Sequence, residues 1–294
     1  MKITNKFGLP DTIQRAIEND DYSKGDAYLS VTQLLNSPRI IQLRKKHWNK
    51  LTQDISDRIW ALFGSAIHHV LEKGGSNKEL TEKRYFTEVN GWTISGQIDS
   101  LDLDSGILRD YKTCKAYSLM TNDDGEVKEE WVNQLNCYRY MLEEQEGIEV
   151  KALEIIAFIR DWSKYQSERS NRYPNQEVMV IPVPMWSKDE TEKFLQERVR
   201  LHQKALASYK VTKKLPLCSD KERWMTDTKY ALRKEGLTRA IKVYNSKEEI
   251  ENDIGVTVKE DQYIEERKGK SIRCEGNYCN VAEYCSQYQE ELSG

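Results

Sequence analysis

Asp99, Asp110 and Lys112 lie in a short stretch that reads as two β-strands and a tight turn. Trp92-Thr-Ile-Ser-Gly-Gln-Ile-Asp-Ser-Leu forms one strand and Ile107-Leu-Arg-Asp-Tyr-Lys-Thr the other, with Asp104-Ser105-Gly106 as the turn signal between them. Asp110 and Lys112 are two residues apart, so their side chains leave the same face of the second strand. A two-residue turn at Asp104 and Ser105 sets Asp99 directly opposite Asp110, whereas a bulge at Gly106 would shift that register. Two carboxylates at cross-strand distance repel one another unless a cation lies between them. Oxygen ligands of this kind suit Mg²⁺ or Mn²⁺. A lysine beside such a metal can stabilise charge on a phosphate or help deprotonate an attacking water. The same residues on an exposed hairpin would be only a charged face, so spacing alone leaves both readings open.

The elements around this hairpin follow from hydrophobic periodicity. Ile59, Leu62, Phe63, Ile67, Val70 and Leu71 recur at helical spacing between Asp57 and Glu72, and Gly74-Gly75 stops that helix. A further helix is expected from about Glu129 to Glu144, strands at Ala152 to Arg160 and Glu177 to Val183, and a long amphipathic helix from about Lys188 to Tyr209. Residues 1–58 are expected to be mostly helical, with a break at Ser37-Pro38. The order predicts an α/β fold: an N-terminal helical region over 1–58, a core of mixed sheet flanked by helices over 59–210, and a C-terminal module over 211–294.

Gly96-Gln-Ile-Asp99 followed by Asp110-Tyr-Lys112 resembles the signature of the PD-(D/E)XK nucleases in its RecB-like form. Gly64-Ser-Ala-Ile-His68, followed by Leu71 and Glu72, resembles that family's upstream Gly-x-x-x-His helix, and Gln134-Leu-Asn-Cys-Tyr138 its downstream Gln-x-x-x-Tyr motif. The four motifs stand in family order within residues 64–138. Ile98 replaces the proline of the name-giving dipeptide. The resemblance implies a restriction-endonuclease-like core, with His68, Asp99, Asp110 and the backbone carbonyl of Tyr111 as metal ligands and Lys112 as a catalytic residue. It also places Gln134 and Tyr138 beside the active site, and an imidazole ligand tilts the preference toward Mn²⁺. Glu88, on the strand before the hairpin, is a candidate extra ligand. Each position has a plainer reading as well: His68 as a helix histidine at a core edge, and Gln134 with Tyr138 as an i, i+4 packing pair.

Cys274, Cys279 and Cys285 fall within twelve residues, and Cys218 after Leu215-Pro216-Leu217 is the best fourth ligand. Four thiolates can hold Zn²⁺ or an iron–sulfur cluster. The trio resembles the [4Fe–4S] staple of RecB-like nucleases such as AddB nuclease domains and the CRISPR-associated exonucleases. It departs from them in that its isolated cysteine lies downstream of the nuclease motifs. Structural zinc and free thiols stay open as alternatives, and Cys114 and Cys137 are expected to be core thiols.

The chain has 294 residues, of which 38% are hydrophobic and 32% charged, as in a globular protein with a charged surface. Its net charge of −3 excludes a uniformly basic coat. From Lys210 to Lys247, however, eleven Lys or Arg stand against four Asp or Glu, a local balance of +7 that leaves −10 for the rest. Trp224, Tyr230 and Tyr244 interleave with these cations, a pattern suited to a nucleic-acid strand as well as to a solvated face. Arg223, Trp224, Lys229, Arg233, Lys234 and Arg239 are the candidate DNA contacts. No apolar run approaches a membrane span and no secretory signal is present, so a cytoplasmic location is expected, in a bacterium or a phage-infected host.

The expectation from the resemblance is a sequence-independent, Mg²⁺- or Mn²⁺-dependent exonuclease on single-stranded DNA or duplex ends in recombination, repair or replication. Alternatives are a structure-selective flap or junction endonuclease and a catalytically silent DNA-binding partner of a recombinase, single-strand annealing protein or helicase. No Gly-x-x-x-x-Gly-Lys-Ser/Thr loop is present, so ATP-driven unwinding would fall to a partner.

Overall fold

The computed structural model describes residues 1–19, 23–120, 127–254 and 258–293. The chain divides into two units, Met1–Ile41 with Asn49–Leu215, and Gln42–Trp48 with Pro216–Gly294.

The first unit opens with β1 (Lys2–Thr4), α1 (Asp11–Glu18), β2 (Leu29–Ser30), α2 (Val31–Leu35), the start of α3 (Pro38–His47) and β3 (Thr52–Asp54). Three short strands therefore sit among helices where a mostly helical stretch is expected. β1 and β3 pair in parallel, and β2 joins the edge of a three-stranded sheet. The helix expected from Asp57 is α4 (Ile59–Gly74), preceded by a 3₁₀ turn over Ile55–Arg58. Next come β4 (Glu79–Thr81), β5 (Arg84–Val89), β6 (Trp92–Gln97), β7 (Ser100–Asp102), β8 (Ile107–Cys114), α5 (Glu129–Glu146), β9 (Ala152–Ile159), α6 (Lys164–Ser167), β10 (Val178–Val183) and α7 (Lys188–Thr212).

Two mixed sheets flank α5. One has the order β10-β9-β8-β7-β4, with β8 and β9 parallel and the other pairs antiparallel. The other has the order β2-β6-β5, its β5–β6 hairpin closed by Asn90 and Gly91 at φ 50° and 74°, the left-handed pair an Asn-Gly turn supplies. β9 alternates half-exposed and buried residues along its length, and Leu153, Ile155, Ala157 and Ile159 face inward. From the other side α5 contributes Leu135, Met141 and Leu142, all fully buried, and it packs against β5, β6, β8, β9 and β10. Gly147 ends α5 in the left-handed region at φ 66°, the conformation glycine adopts at least cost. A Ser187–Glu190 capping box starts α7.

The strand expected to run unbroken from Trp92 to Leu101 is divided. β6 belongs to one sheet and β7 to the other, and Ile98-Asp99 forms the crossing between them. The hairpin register is the one expected. Ser100 pairs with Arg109, Leu101 with Leu108 and Asp102 with Ile107, which brings Asp99 opposite Asp110. The turn is longer than two residues: Gly106 N–H donates to Asp102 O, and the Asp102 carboxylate accepts from the N–H groups of Asp104 and Ser105.

The second unit contains α8 (Asp220–Arg223), β11 (Lys229–Lys234), β12 (Lys242–Tyr244), α9 (Lys247–Ile254), β13 (Gln262–Arg267), α10 (Ile272–Glu275) and α11 (Ser286–Ser293). Its antiparallel sheet has the order β12-β11-β13. Within this unit, Arg44 from the end of α3 donates to Asn280 Oδ1 at 3.2 Å, and the His47 ring stacks on Tyr284. Among the described residues no helix is long and apolar enough to cross a membrane.

Gly96 is where α5 comes closest to β6. A Cβ there would lie 2.8 and 2.9 Å from the Tyr138 ring and 3.2 Å from Met141 Sδ. Both neighbours are buried, so neither can swing aside freely. Gly96→Ala is expected to destabilise the fold by about 1–3 kcal/mol, read as a lower urea midpoint with unchanged m-value. An unchanged midpoint would show that α5 and β6 are looser than described.

Candidate active site

The residues of the site arrive on several elements, and all line one cavity of about 870 Å³ in the first unit. His68 comes from α4, Glu82 from the turn between β4 and β5, and Asp99 from the β6–β7 crossing. Asp110, Tyr111 and Lys112 come from β8, and Gln134 and Tyr138 from α5. Because the chain leaves the sheet at Asp99, the backbone of Tyr111 meets side chains there instead of a strand. Tyr111 N–H donates to Asp99 Oδ2 at 2.6 Å, and Tyr111 O lies 3.2 Å from His68 Nε2.

Asp99 and Asp110 are buried, at 8% and 1% exposure. Burial first, and the Asp110 charge second, push the Asp99 carboxyl up to about 7, against the opposing pull of His68, Lys112 and the Tyr111 N–H. Lys112 Nζ lies 2.5 Å from Asp110 Oδ2. Burial pulls the Lys112 ammonium down, but Asp110 and Asp99 together prevail and hold its pKa above the ordinary value. Gln134 Nε2 donates to Asp110 Oδ1 at 3.3 Å and to the Tyr138 hydroxyl at 2.8 Å.

His68 Nδ1 lies 3.2 Å from Glu82 Oε1 and 3.5 Å from Asp99 Oδ1. Both ring nitrogens thus face acceptors, whereas a neutral imidazole carries one N–H. The hydrogen bond to Glu82 raises the His68 pKa; burial opposes it, and the charges of Asp99, Glu82 and Asp110 add to the rise. Among the described residues, His68, Glu82 and Asp99 form a group whose ligand atoms all lie within 4.8 Å of one another. An imidazole, several carboxylates and a carbonyl, with more acceptors than protons to share, are a donor set that fits a divalent cation of the Mg²⁺ or Mn²⁺ kind.

Seven residues singled out from sequence therefore meet in one cavity: His68, Asp99, Asp110, Tyr111, Lys112, Gln134 and Tyr138. Glu88 is exposed on β5 and does not line the cavity. Glu72 and Glu82 do line it, and Glu82, which sequence spacing does not mark, is the one that reaches His68. The Glu82 backbone is left-handed at φ 49°, an uncommon state for a residue with a Cβ. Glu82 N–H donates to Asp99 O, and Gln97 Nε2 donates to Glu82 Oε2, so both ends of the residue are held.

In the second unit Cys218, Cys274, Cys279 and Cys285 are all buried, and none of them is in a disulfide. Gln287 accepts from Cys218 N–H at 2.8 Å and donates to Cys218 O at 2.9 Å, which ties that residue to the segment after Cys285. Burial pushes the Cys274 and Cys279 thiols up; Cys274 also feels Cys279 and Cys285, and Cys279 feels Cys285. Among the described residues no three of these sulfurs come within 4.8 Å of one another. Cys114 and Cys137 are buried in the first unit, Cys137 completely.

The basic segment is largely answered by carboxylates of its own unit. Arg223 pairs with Asp220 and Glu291, Arg233 with Glu265, and Lys234 with Asp261. Lys229 donates to Asn245, and Trp224 stays 45% exposed between Tyr278 and the Arg273 guanidinium. Arg239 is exposed.

The family model of the PD-(D/E)XK nuclease superfamily matches residues 18–286, a span that takes in the cavity residues named above and all six cysteines. The chain belongs to this superfamily. Among solved structures, the protein SSO0001 is 16% identical with a TM-score of 0.45, over 64% of this chain and 84% of that one. A Eubacterium rectale protein whose name proposes an exonuclease is 12% identical with a TM-score of 0.31, over 62% and 72%. Among curated protein sequences none matches. PD-(D/E)XK nucleases use divalent metals, and the acidic site around His68, Glu82 and Asp99 is of the kind that would hold one.

The raised pKa of Asp99 carries a sign. Protonated Asp99 favours the folded, metal-free nuclease below the unfolded carboxylate range, and that contribution is lost as pH rises through about 7. A divalent cation competes with this proton, so the rise in Tm caused by Mn²⁺ should be larger at about pH 8 than at about pH 6. Asp99→Asn should flatten the difference. Equal shifts at both pH values in the unaltered nuclease would place Asp99 outside the metal site.

Proposed function

We propose that this nuclease is a metal-dependent deoxyribonuclease of the RecB-like kind, acting without sequence preference as an exonuclease on single-stranded DNA or duplex ends. The observation that carries this reading is the convergence of Asp99, Asp110, Lys112 and His68 in one cavity. In it, His68, Asp99, Asp110 and the Tyr111 carbonyl hold the divalent ion, Mg²⁺ or Mn²⁺, with Glu82 beside them. Such an ion polarises the phosphate and lowers the pKa of a bound water.

The remaining work belongs to the side chains. Lys112, kept cationic by Asp110 and Asp99, presents positive charge to the scissile phosphate and orients the attacking water. Gln134 holds the Asp110 carboxylate with one donor group, and Tyr138 positions Gln134. Glu82 orients the His68 ring through Nδ1, which leaves Nε2 on the side of the Tyr111 carbonyl. In the second unit, Arg223, Trp224, Lys229, Arg233, Lys234 and Arg239 guide the strand; Trp224, Lys229 and Arg239 do so most directly, because acids already pair with the other three. A helicase or recombinase would supply the strand.

Cys218, Cys274, Cys279 and Cys285 hold a structural [4Fe–4S] cluster in this reading. What supports it is the trio Cys274, Cys279 and Cys285 with the distant Cys218, which resembles the cysteine staple of RecB-like nucleases more than the paired short knuckles of a zinc site.

Asp110→Ala and Lys112→Ala should each slow degradation of end-labelled linear single-stranded DNA by at least about a hundredfold, with the fold intact by circular dichroism. Circular single-stranded DNA should survive; its cleavage would replace the exonuclease with an endonuclease. Anaerobically purified protein should be brown, with iron and acid-labile sulfide in equal amounts, and Cys279→Ser should remove the colour. Colourless protein with stoichiometric zinc would overturn the cluster.

A further inference from the structure

Beyond the candidate metal cavity, α4 carries two aromatic side chains that the described residues of the first unit leave half exposed. Trp60 and Phe63 keep 51% and 50% of their surface exposed, with ring centroids 6.2 Å apart in an edge-to-face arrangement. Arg160, the residue after β9, lays its guanidinium 4.2 Å from the centre of the Trp60 ring. Among the described residues no carboxylate pairs with Arg160, and its Nε has no hydrogen-bond acceptor. Arg160 N–H donates to Cys114 O, and Ala116 N–H donates to Asp161 Oδ1. These bonds set the turn Ala116–Ser118 beside Arg160. That turn holds Tyr117 at 81% exposure, and Lys115 before it is exposed as well.

The placement of this patch follows from how α4 crosses β8. His68 meets Tyr111 O, and a Cβ on Gly64 would lie 3.4 Å from Thr113 Oγ1. Trp60, one turn before Gly64, therefore lies toward the end of β8 beyond Lys112, about 12 Å along the helix from His68. The aromatic patch continues the line of the candidate active site.

Aromatic faces beside unpaired cations are complementary to nucleotides whose bases are free to stack: rings take the bases while the cations meet the phosphates. Bases inside a duplex have no free face to offer. We propose that Trp60, Phe63 and Tyr117, with Arg160 and Lys115, form a stacking platform for the unpaired nucleotides that lead to the scissile phosphate, so that single-stranded DNA is the substrate. The proposal rests on the nuclease reading above and narrows its substrate class.

The test measures binding in EDTA, where no cleavage occurs, to a fluorescein-labelled single strand, to an abasic strand of equal length and to a blunt duplex. Trp60→Ala should weaken binding of the single strand on the order of tenfold and leave abasic-strand and duplex binding unchanged. Trp60→Phe should restore most of the loss. Equal loss on all three probes, or none on the single strand, overturns the platform. Self-association of the unaltered protein that Trp60→Ala abolishes would also overturn it, by assigning the patch to a second copy of the chain. Failure of the nuclease reading shows separately, as absence of metal-dependent cleavage by the unaltered protein whatever the binding result.

Discussion

The structure is organised around two carboxylates buried close together. Asp99 and Asp110 stand opposite each other where β7 begins beside β8, largely out of water, where like charges are costly unless each is answered. The answers come from every direction: Lys112 from the same strand, the Tyr111 N–H between them, Gln134 from α5 and His68 from α4. No single element could supply them all. A sheet crossed by one helix and backed by another is therefore the least structure that can hold this pair.

Several irregular features of the fold serve this arrangement. Breaking the strand at Ile98-Asp99 sends β6 and β7 to different sheets and frees the Tyr111 backbone to serve Asp99 and His68. Gly96 lets the Tyr138 ring settle directly on β6, so that its hydroxyl can position Gln134. Glu82 takes up a left-handed backbone and in return sets the His68 ring. These are departures from ideal strand and turn geometry, and they are concentrated where the charges are.

The second unit handles charge in another way. Its cations find carboxylates within the unit, across β11 and β13 or from α11, so the positive balance read along the chain is not a positive surface of equal strength. In the first unit Arg160 does the reverse, lying on an aromatic ring with no acidic partner among the described residues. A run of lysines and arginines shows where cations are in the chain, and the tertiary pairing decides which of them act on a ligand.

The sequence by itself determined the elements that carry the chemistry. Strand alternation, helical periodicity and the turn at Asp104–Gly106 are local patterns, and they led to the hairpin register and to α4, α5 and α7; the resemblance of the motifs to the PD-(D/E)XK nucleases led to seven residues of the cavity. It also determined that Asp110 and Lys112 share a face, since that follows from the two-residue repeat of a strand. Only the tertiary structure decided that Glu82 joins the site in place of Glu88. The turn that holds Glu82 is set by long-range bonds to Asp99 and Gln97, which leave no mark in local spacing. The same holds for the strand break at Asp99, because a change of sheet depends on the neighbours a strand finds, and for the half-exposed aromatics of α4. Phe63 falls in the apolar repeat of that helix, and which side of a helix meets the core is settled by packing between elements distant in the chain.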